Sequence, residues 1–266
     1  MATVAKIKVK DNLKEAINQA IAEIGGWGKF VNRGEVVFLK PNFNTADPFP
    51  ASTDPQFLKA VVELVYEAGA KLVMIGESST MTLNTRKEME KLKIFELQRN
   101  EKSPRIFVFE EGEWINKEIP LGKYLKRVSL PTIINRADKL IFLPCLKTHK
   151  YAQFTGSLKL AIGLMKPIER VGLHTRKLQE KIADLNTLFQ PDLVIMDGRK
   201  CFINEGPSSG ELAEPGLILA SNNRVAIDVE GIKIIQSYPG NSLEGIDPWQ
   251  LPQIKRAVEL GLGPDN

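Results

Sequence analysis

Apolar residues fall along this chain in short runs divided by polar turns, and the runs are of two kinds. Residues 35–40, 71–75, 139–143 and 193–196 are brief and rich in Val, Ile and Leu, as buried strands of a parallel sheet are. Residues 4–9 alternate and predict an edge strand, and 105–109 and 217–220 predict two further strands. Longer stretches with helical spacing lie between them. Residues 13–24 close at Gly25-Gly26, and Asp54-Pro55 opens a helix whose apolar face is Phe57, Val61, Leu64, Val65 and Ala68. Residues 86–100 predict an exposed amphipathic helix, and 130–137 a short one with Pro131 in its first turn. Helices are also expected over 176–189 with Thr175 as cap, over 223–235 and over 252–260. The alternation predicts an α/β fold, a mainly parallel or mixed sheet flanked by helices on both faces. No repeat or low-complexity linker breaks it, so 1–266 reads as a single domain, with at most a small lobe around 102–130 where the pattern weakens.

The stretch 138–165, DKLIFLPCLKTHKYAQFTGSLKLAIGLM, organises the rest. Its apolar run ends at Pro144, and Leu146-Lys147-Thr148-His149-Lys150 then crowds two cations, a hydroxyl and an imidazole into what reads as a loop. From about Thr155, Leu158, Ala161, Ile162 and Met165 recur at helical spacing. Strand, charged loop, helix is the unit that builds ligand sites outside the carboxyl ends of strands. Three other strands end in polar clusters, at Lys40-Pro41-Asn42, Gly76-Glu77-Ser78 and Asp197-Gly198. In a parallel sheet the four converge on one rim, where lysines, amides and carboxylates over helix amino ends could hold a small anion or a hydrated metal. The competing reading is that strand ends are polar in any such fold and that Asp and Asn there serve turns and caps. Residues 168–174 read as a loop. The long segment 197–216 reads as a wall or lid, because Cys201, Phe202, Ile203 and Leu212 can pin it to the body.

Composition narrows the chemistry. Hydrophobic residues make up 43% and charged residues 26% of the chain, with a net charge of +4, and most lysines alternate with glutamates. That is a solvated surface, without the basic stripe a nucleic acid would need. No apolar run approaches the ~18 residues of a membrane helix, and the first residues alternate too early for a signal peptide, so a cytoplasmic protein is expected. Two cysteines, Cys145 and Cys201, are too few for a cluster held by four cysteines of this chain alone. The two histidines, His149 and His174, flank the central helix. With Cys145, Cys201, Asp197 and Glu205 they could furnish a divalent-metal or iron site, although no standard ligand spacing is present.

Taken together, Lys40-Pro41-Asn42, Thr53-Asp54-Pro55, Glu67-Ala68-Gly69-Ala70, Leu146-Lys147-Thr148-His149, Thr155-Gly156, Leu158-Lys159, Ile162-Gly163-Leu164, Asp197-Gly198, Glu205-Gly206-Pro207 and Ala226-Ile227-Asp228 resemble the family called domain of unknown function 362. Members are often fused to a cluster-binding ferredoxin module, so the resemblance implies redox or metal-linked work. No such module is expected within these 266 residues. The chain departs from the family pattern at Leu160, where relatives tend to carry asparagine, and at Cys145, where lysine is frequent.

Two functions are expected. One is a metal- or redox-linked enzyme whose rim cleft binds a small anionic substrate. In it His149, Lys147 and Asp197 are the catalytic candidates, His149 for proton transfer; Lys40, Asn42, Thr148, Lys159 and Gly206 are the ligand-binding ones; and Asp197, Glu205, Asp228 and His149 are the metal ligands. The other is a non-catalytic binding or redox-accessory protein that docks a cofactor or an iron–sulfur partner on the same rim.

Overall fold

Strand residues here alternate between two apolar layers, and that alternation explains the architecture. In a computed structural model describing residues 3–98 and 103–264, Val37, Leu39, Val73, Ile75, Ile141 and Ile195 face one layer, while Phe38, Met74, Phe142, Val194 and Met196 face the other. A sheet buried on both faces needs helices on both. Strands β1 (Ala5–Lys8), β2 (Val36–Lys40), β3 (Leu72–Glu77) and β4 (Arg105–Val108) are interleaved with helices α1 (Leu13–Glu23), α2 (Pro55–Glu67) and α3 (Thr85–Lys91). A hairpin of β5 (Trp114–Glu118) and β6 (Arg127–Pro131) follows, then β7 (Lys139–Phe142), β8 (Cys145–His149), β9 (Gln153–Thr155), α4 (Ser157–Leu160), α5 (Arg170–Leu173) and α6 (Leu178–Asn186). The chain closes with β10 (Leu193–Phe202), β11 (Leu212–Ala213), β12 (Leu217–Ser221), α7 (Arg224–Gln236) and α8 (Pro252–Glu259). Helices α1 and α2 cover the first layer; α6, α7 and α8 cover the second.

The main sheet runs β1-β12-β10-β7-β2-β3-β4. Strands β10, β7, β2, β3 and β4 are parallel neighbours, and β12 and β1 join antiparallel at one edge. The four expected core strands therefore share one mainly parallel sheet. From β2 the chain moves outward through β3 and β4, then returns to the other side of β2 at β7. Between the carboxyl ends of β2 and β7 the winding reverses, which is where open α/β sheets leave a crevice.

Several elements differ from expectation. Residues 146–150 are no loop: Cys145–His149 is a buried strand that pairs with the far half of β10. Pro144, lacking an N–H, interrupts a path that β8 then resumes. Residues 130–137 form the end of β6 and a 3-10 turn, Thr132–Arg136. The helix at Leu158 is a single α turn continued as 3-10 by Ala161–Leu164, and 168–174 holds the short helix α5. Helix α3 stops at Lys91; the last two residues of the helix expected over 86–100, and Lys102 at the start of the small lobe, lie outside the described residues. The hairpin β5–β6 sends Val128 and Leu130 into the second apolar layer.

Candidate functional site

Lys40 ends β2 with no surface exposed, and its ammonium is held by Glu77 at the end of β3 (Nζ to Oε2, 2.6 Å) and by the carbonyl of Pro41 (2.7 Å). The same carboxylate accepts the Phe43 N–H at 2.9 Å and the Ser78 N–H at 2.9 Å, so both oxygens are engaged. A buried ion pair of this kind survives only when its remaining hydrogen bonds are made. The 3-10 turn after α4 lies directly on it. A Cβ at Gly163 would sit 2.7 Å from Lys40 Nζ and 2.8 Å from Glu77 Oε1, so only glycine allows this approach.

The crevice beside this pair has a volume of about 250 Å³ and opens at the predicted rim. Lys40, Lys147, Lys159 and Arg170 line it, and among the described residues Glu77 is the one carboxylate that does. Arg170 is wholly engaged, donating to the carbonyls of Ser78, Ser79, Gly163 and Met165. Lys147 is buried and donates to the carbonyl of Ala51; burial lowers its pKa. Asn42 reaches the lining from the loop after β2, its N–H bound to Thr53 Oγ1 at 2.8 Å.

Lys159 is different. It sits in α4, a helix too short to stand alone. Asp228 of α7 holds its amino end by accepting the N–H groups of Ser157 (2.6 Å) and Leu158 (2.9 Å), and Asn186 of α6 donates to the Leu158 carbonyl (2.8 Å). Among the described residues the Lys159 ammonium has no hydrogen bond or ion pair. Burial, with Lys147 and Arg170 adding like-charge repulsion, brings its pKa down to about 7. Thr155 also lines the crevice, and its buried Oγ1 has no partner among the described residues.

His149 lines the same wall at 7% exposure. Its Nδ1 accepts the N–H groups of Tyr151 and Ala152, both at 3.1 Å, so the neutral ring carries its proton on Nε2 and offers a donor to the crevice. Burial, followed by the field of Lys159, holds its pKa down to about 2. Proton transfer at neutral pH, the role expected of it, does not suit such a ring; a fixed N–H donor does. His174 stands across Tyr151, bonded through Nδ1 to the Arg170 carbonyl at 2.9 Å.

Of the candidates read from sequence, Lys40, Asn42, Lys147, His149 and Lys159 therefore share the crevice. Five do not line it. Thr148 is buried beside it, accepting the Gly206 N–H at 3.2 Å, and this contact fastens the 204–208 segment so that Pro207 and Ser208 form part of the wall. Asp197 is buried under Arg199, which binds both its oxygens and also Asp54. Asp228 caps α4, and Glu205 is exposed with a φ of 51°. Among the described residues no three His, Cys, Asp or Glu side chains group in a way that could hold a metal ion. Cys145 is buried and its thiol is pushed up to about 11; Cys201 is also free and buried. Glu77 and Arg170 were not singled out as site residues. Glu77 was visible as a strand-end carboxylate, whereas Arg170 lay in an apparent loop with nothing to mark its burial.

A fold of this winding, with a basic crevice at its switch point, defines an α/β protein. Residues 37–233 match the family described as Domain of unknown function (DUF362), and the chain belongs to it. A thylakoid-associated protein of Synechocystis sp. is 28% identical over 261 residues, covering 95% of this chain and 76% of that protein. The lactate racemase apoprotein from Thermoanaerobacterium thermosaccharolyticum shares the fold at a TM-score of 0.54 and 9% identity, over 87% of this chain; the match spans 62% of that protein, under two thirds of its length. No helix among the described residues is long and apolar enough to cross a membrane.

Proposed function

We propose that this protein binds a small anion in the crevice between β2 and β7 and acts on it with Lys159 as the group that gains and loses a proton. The observation that carries the reading is the charge balance of the lining, four basic side chains against Glu77 alone among the described residues, with that glutamate already engaged by Lys40 and two backbone N–H groups. Buried cations without counter-charges are costly, and a bound anion would relieve them. The Nε2 proton of His149, the free hydroxyl of Thr155 and the spare N–H groups of Lys147 offer hydrogen bonds to such a ligand. A group whose pKa is near 7 suits acid–base work at neutral pH better than His149 or Asp197 does. Metal-linked chemistry would need ligands from the substrate or a partner, since no three His, Cys, Asp or Glu side chains group among the described residues. A cytoplasmic setting agrees with two free, buried cysteines.

Titration calorimetry with sulfate and with small mono- and dicarboxylates tests this. Binding that weakens at least tenfold in Lys147→Met and in Lys159→Met is expected; absence of binding by every anion at millimolar concentration refutes it. The accessory reading keeps one supporting observation, the exposed Met81 and Val171 at the mouth with Tyr151 and Ile168 nearby, an apolar rim on which an iron–sulfur protein could dock.

A further inference from the structure

The three lysines of the crevice are not equivalent. Lys40 is locked to Glu77 and to a carbonyl, and Lys147 to the carbonyl of Ala51. Lys159 alone presents an amine with no partner among the described residues, on a backbone clamped by Asp228 at one end and Asn186 at the other. We infer that Lys159 is a nucleophile that forms an imine with the carbonyl group of a small oxo acid, a proposal resting on the anion-binding reading above. An amine poised in this way, desolvated and beside other cations, is how lysine becomes nucleophilic near neutral pH. Its pKa of about 7, set by burial and by Lys147 and Arg170, leaves about half of it unprotonated at pH 7.

The rest of the crevice matches the rest of such a molecule. Its carboxylate would meet the spare N–H groups of Lys147 and the Nε2 proton of His149, so charge recognition and attack are served by different residues. A volume of about 250 Å³, roughly the space of eight waters, admits an oxo acid of a few carbons. In the reaction the Lys159 lone pair attacks the carbonyl carbon, a C–N bond forms and the C=O π pair moves to oxygen. That oxygen takes a proton, the nitrogen gives one up, and the hydroxyl leaves as water after a second protonation drawn from solvent, for which Thr155 Oγ1 is an unengaged relay on the wall. Amine, carbonyl and one proton become the protonated imine and water, with no oxidant or reductant. Thr155 would otherwise be a buried hydroxyl with nothing to do.

The test is borohydride trapping of the full chain with pyruvate as probe, read by intact mass and peptide mapping, alongside calorimetry of pyruvate and sulfate without borohydride. One reduced adduct on the Lys159 peptide is expected, at least tenfold above any other lysine at pH 7, with a trapping rate that rises through pH 7 and not near the ordinary 10.5 of a lysine. It should vanish in Lys159→Met. Should that variant unfold, Lys159→Arg keeps the charge without a nucleophile and must bind sulfate but trap nothing. Sulfate and pyruvate binding without an adduct, or adducts spread evenly over surface lysines, overturns the imine and leaves the anion site standing. Failure of every anion to bind removes both.

Discussion

If an anion sits against Lys159, binding must take up a proton. Free Lys159, with a pKa of about 7, is about nine-tenths unprotonated at pH 8 and about one-tenth at pH 6. An anion at ~4 Å, at the effective dielectric of a partly buried pair, favours the ammonium by ~4 kcal/mol, which is about three pKa units. The pKa in the complex would rise to about 10. Sulfate binding at pH 8 should then absorb about 0.9 proton per site and at pH 6 about 0.1, and above pH 7 affinity should fall about tenfold, or ~1.4 kcal/mol, for each unit.

Sulfate is the proper probe because it does not itself titrate in this range. Calorimetry in buffers of different ionisation enthalpy reads the proton number as the slope of observed heat against buffer heat. His149 does not intrude: raised three units from about 2 it would still be neutral at pH 6. Nor does Asp228, held near 7 by burial against its two N–H bonds, because it caps α4 without lining the crevice. Lys40, Lys147 and Arg170 face the same space, and Lys159→Met must abolish the slope if the proton belongs to Lys159. A slope of zero at pH 8 with sulfate bound, or the same slope in that variant, would refute the reasoning.

Three further outcomes are expected. Glu77→Leu strands Lys40 without a counter-charge and frees the Phe43 and Ser78 N–H groups, so urea unfolding should show a loss of about 3–5 kcal/mol, most of it recovered when Lys40→Met is added; a change within error would mean the pair is solvated. Asp197→Asn, which breaks the Arg199 clamp and leaves the crevice untouched, should lower stability by about 1–3 kcal/mol with sulfate affinity unchanged; lost binding at an unchanged melting temperature would return Asp197 to the site. Gly163→Ala forces a Cβ against the Lys40–Glu77 pair and should cost about 1–3 kcal/mol, whereas an unaltered melting curve would show that the turn over the pair moves freely.

The fold was legible because burial on both sheet faces demands continuous apolar runs, and 36–39, 72–75, 140–143 and 193–196 have them. The cap at Asp54 was equally plain, since it offers a side-chain oxygen ahead of Pro55 and a periodic run and accepts the Gln56 N–H; Asn223, read as the first helical residue, proves to be a cap as well. What misled was polarity taken for exposure. Leu146-Lys147-Thr148-His149-Lys150 has a loop's composition, yet β10 continues past Asp197 and recruits it as a strand. Pairing between segments fifty residues apart leaves no local periodicity to read. The short 3-10 turns and α5 escaped because three to five residues make too little of a helical period to read.

The site was legible in its cations and misread in its carboxylates, and the difference is physical. A buried lysine has few fates, and here Lys40, Lys147 and Lys159 all reach the crevice. An aspartate at the same rim can instead accept backbone N–H groups or clamp an arginine, and Asp228 and Asp197 do these. Both tasks still serve the crevice at one remove. Asp228 sets where Lys159 stands, and Asp197, through Arg199, ties the middle of the long strand to Asp54 at the start of α2. The carboxylates thus maintain the frame while the cations meet the ligand. This division explains why a rim that looked evenly mixed in sequence becomes, once folded, a basic crevice in which, among the described residues, the single lining carboxylate is already held by Lys40 and two backbone N–H groups.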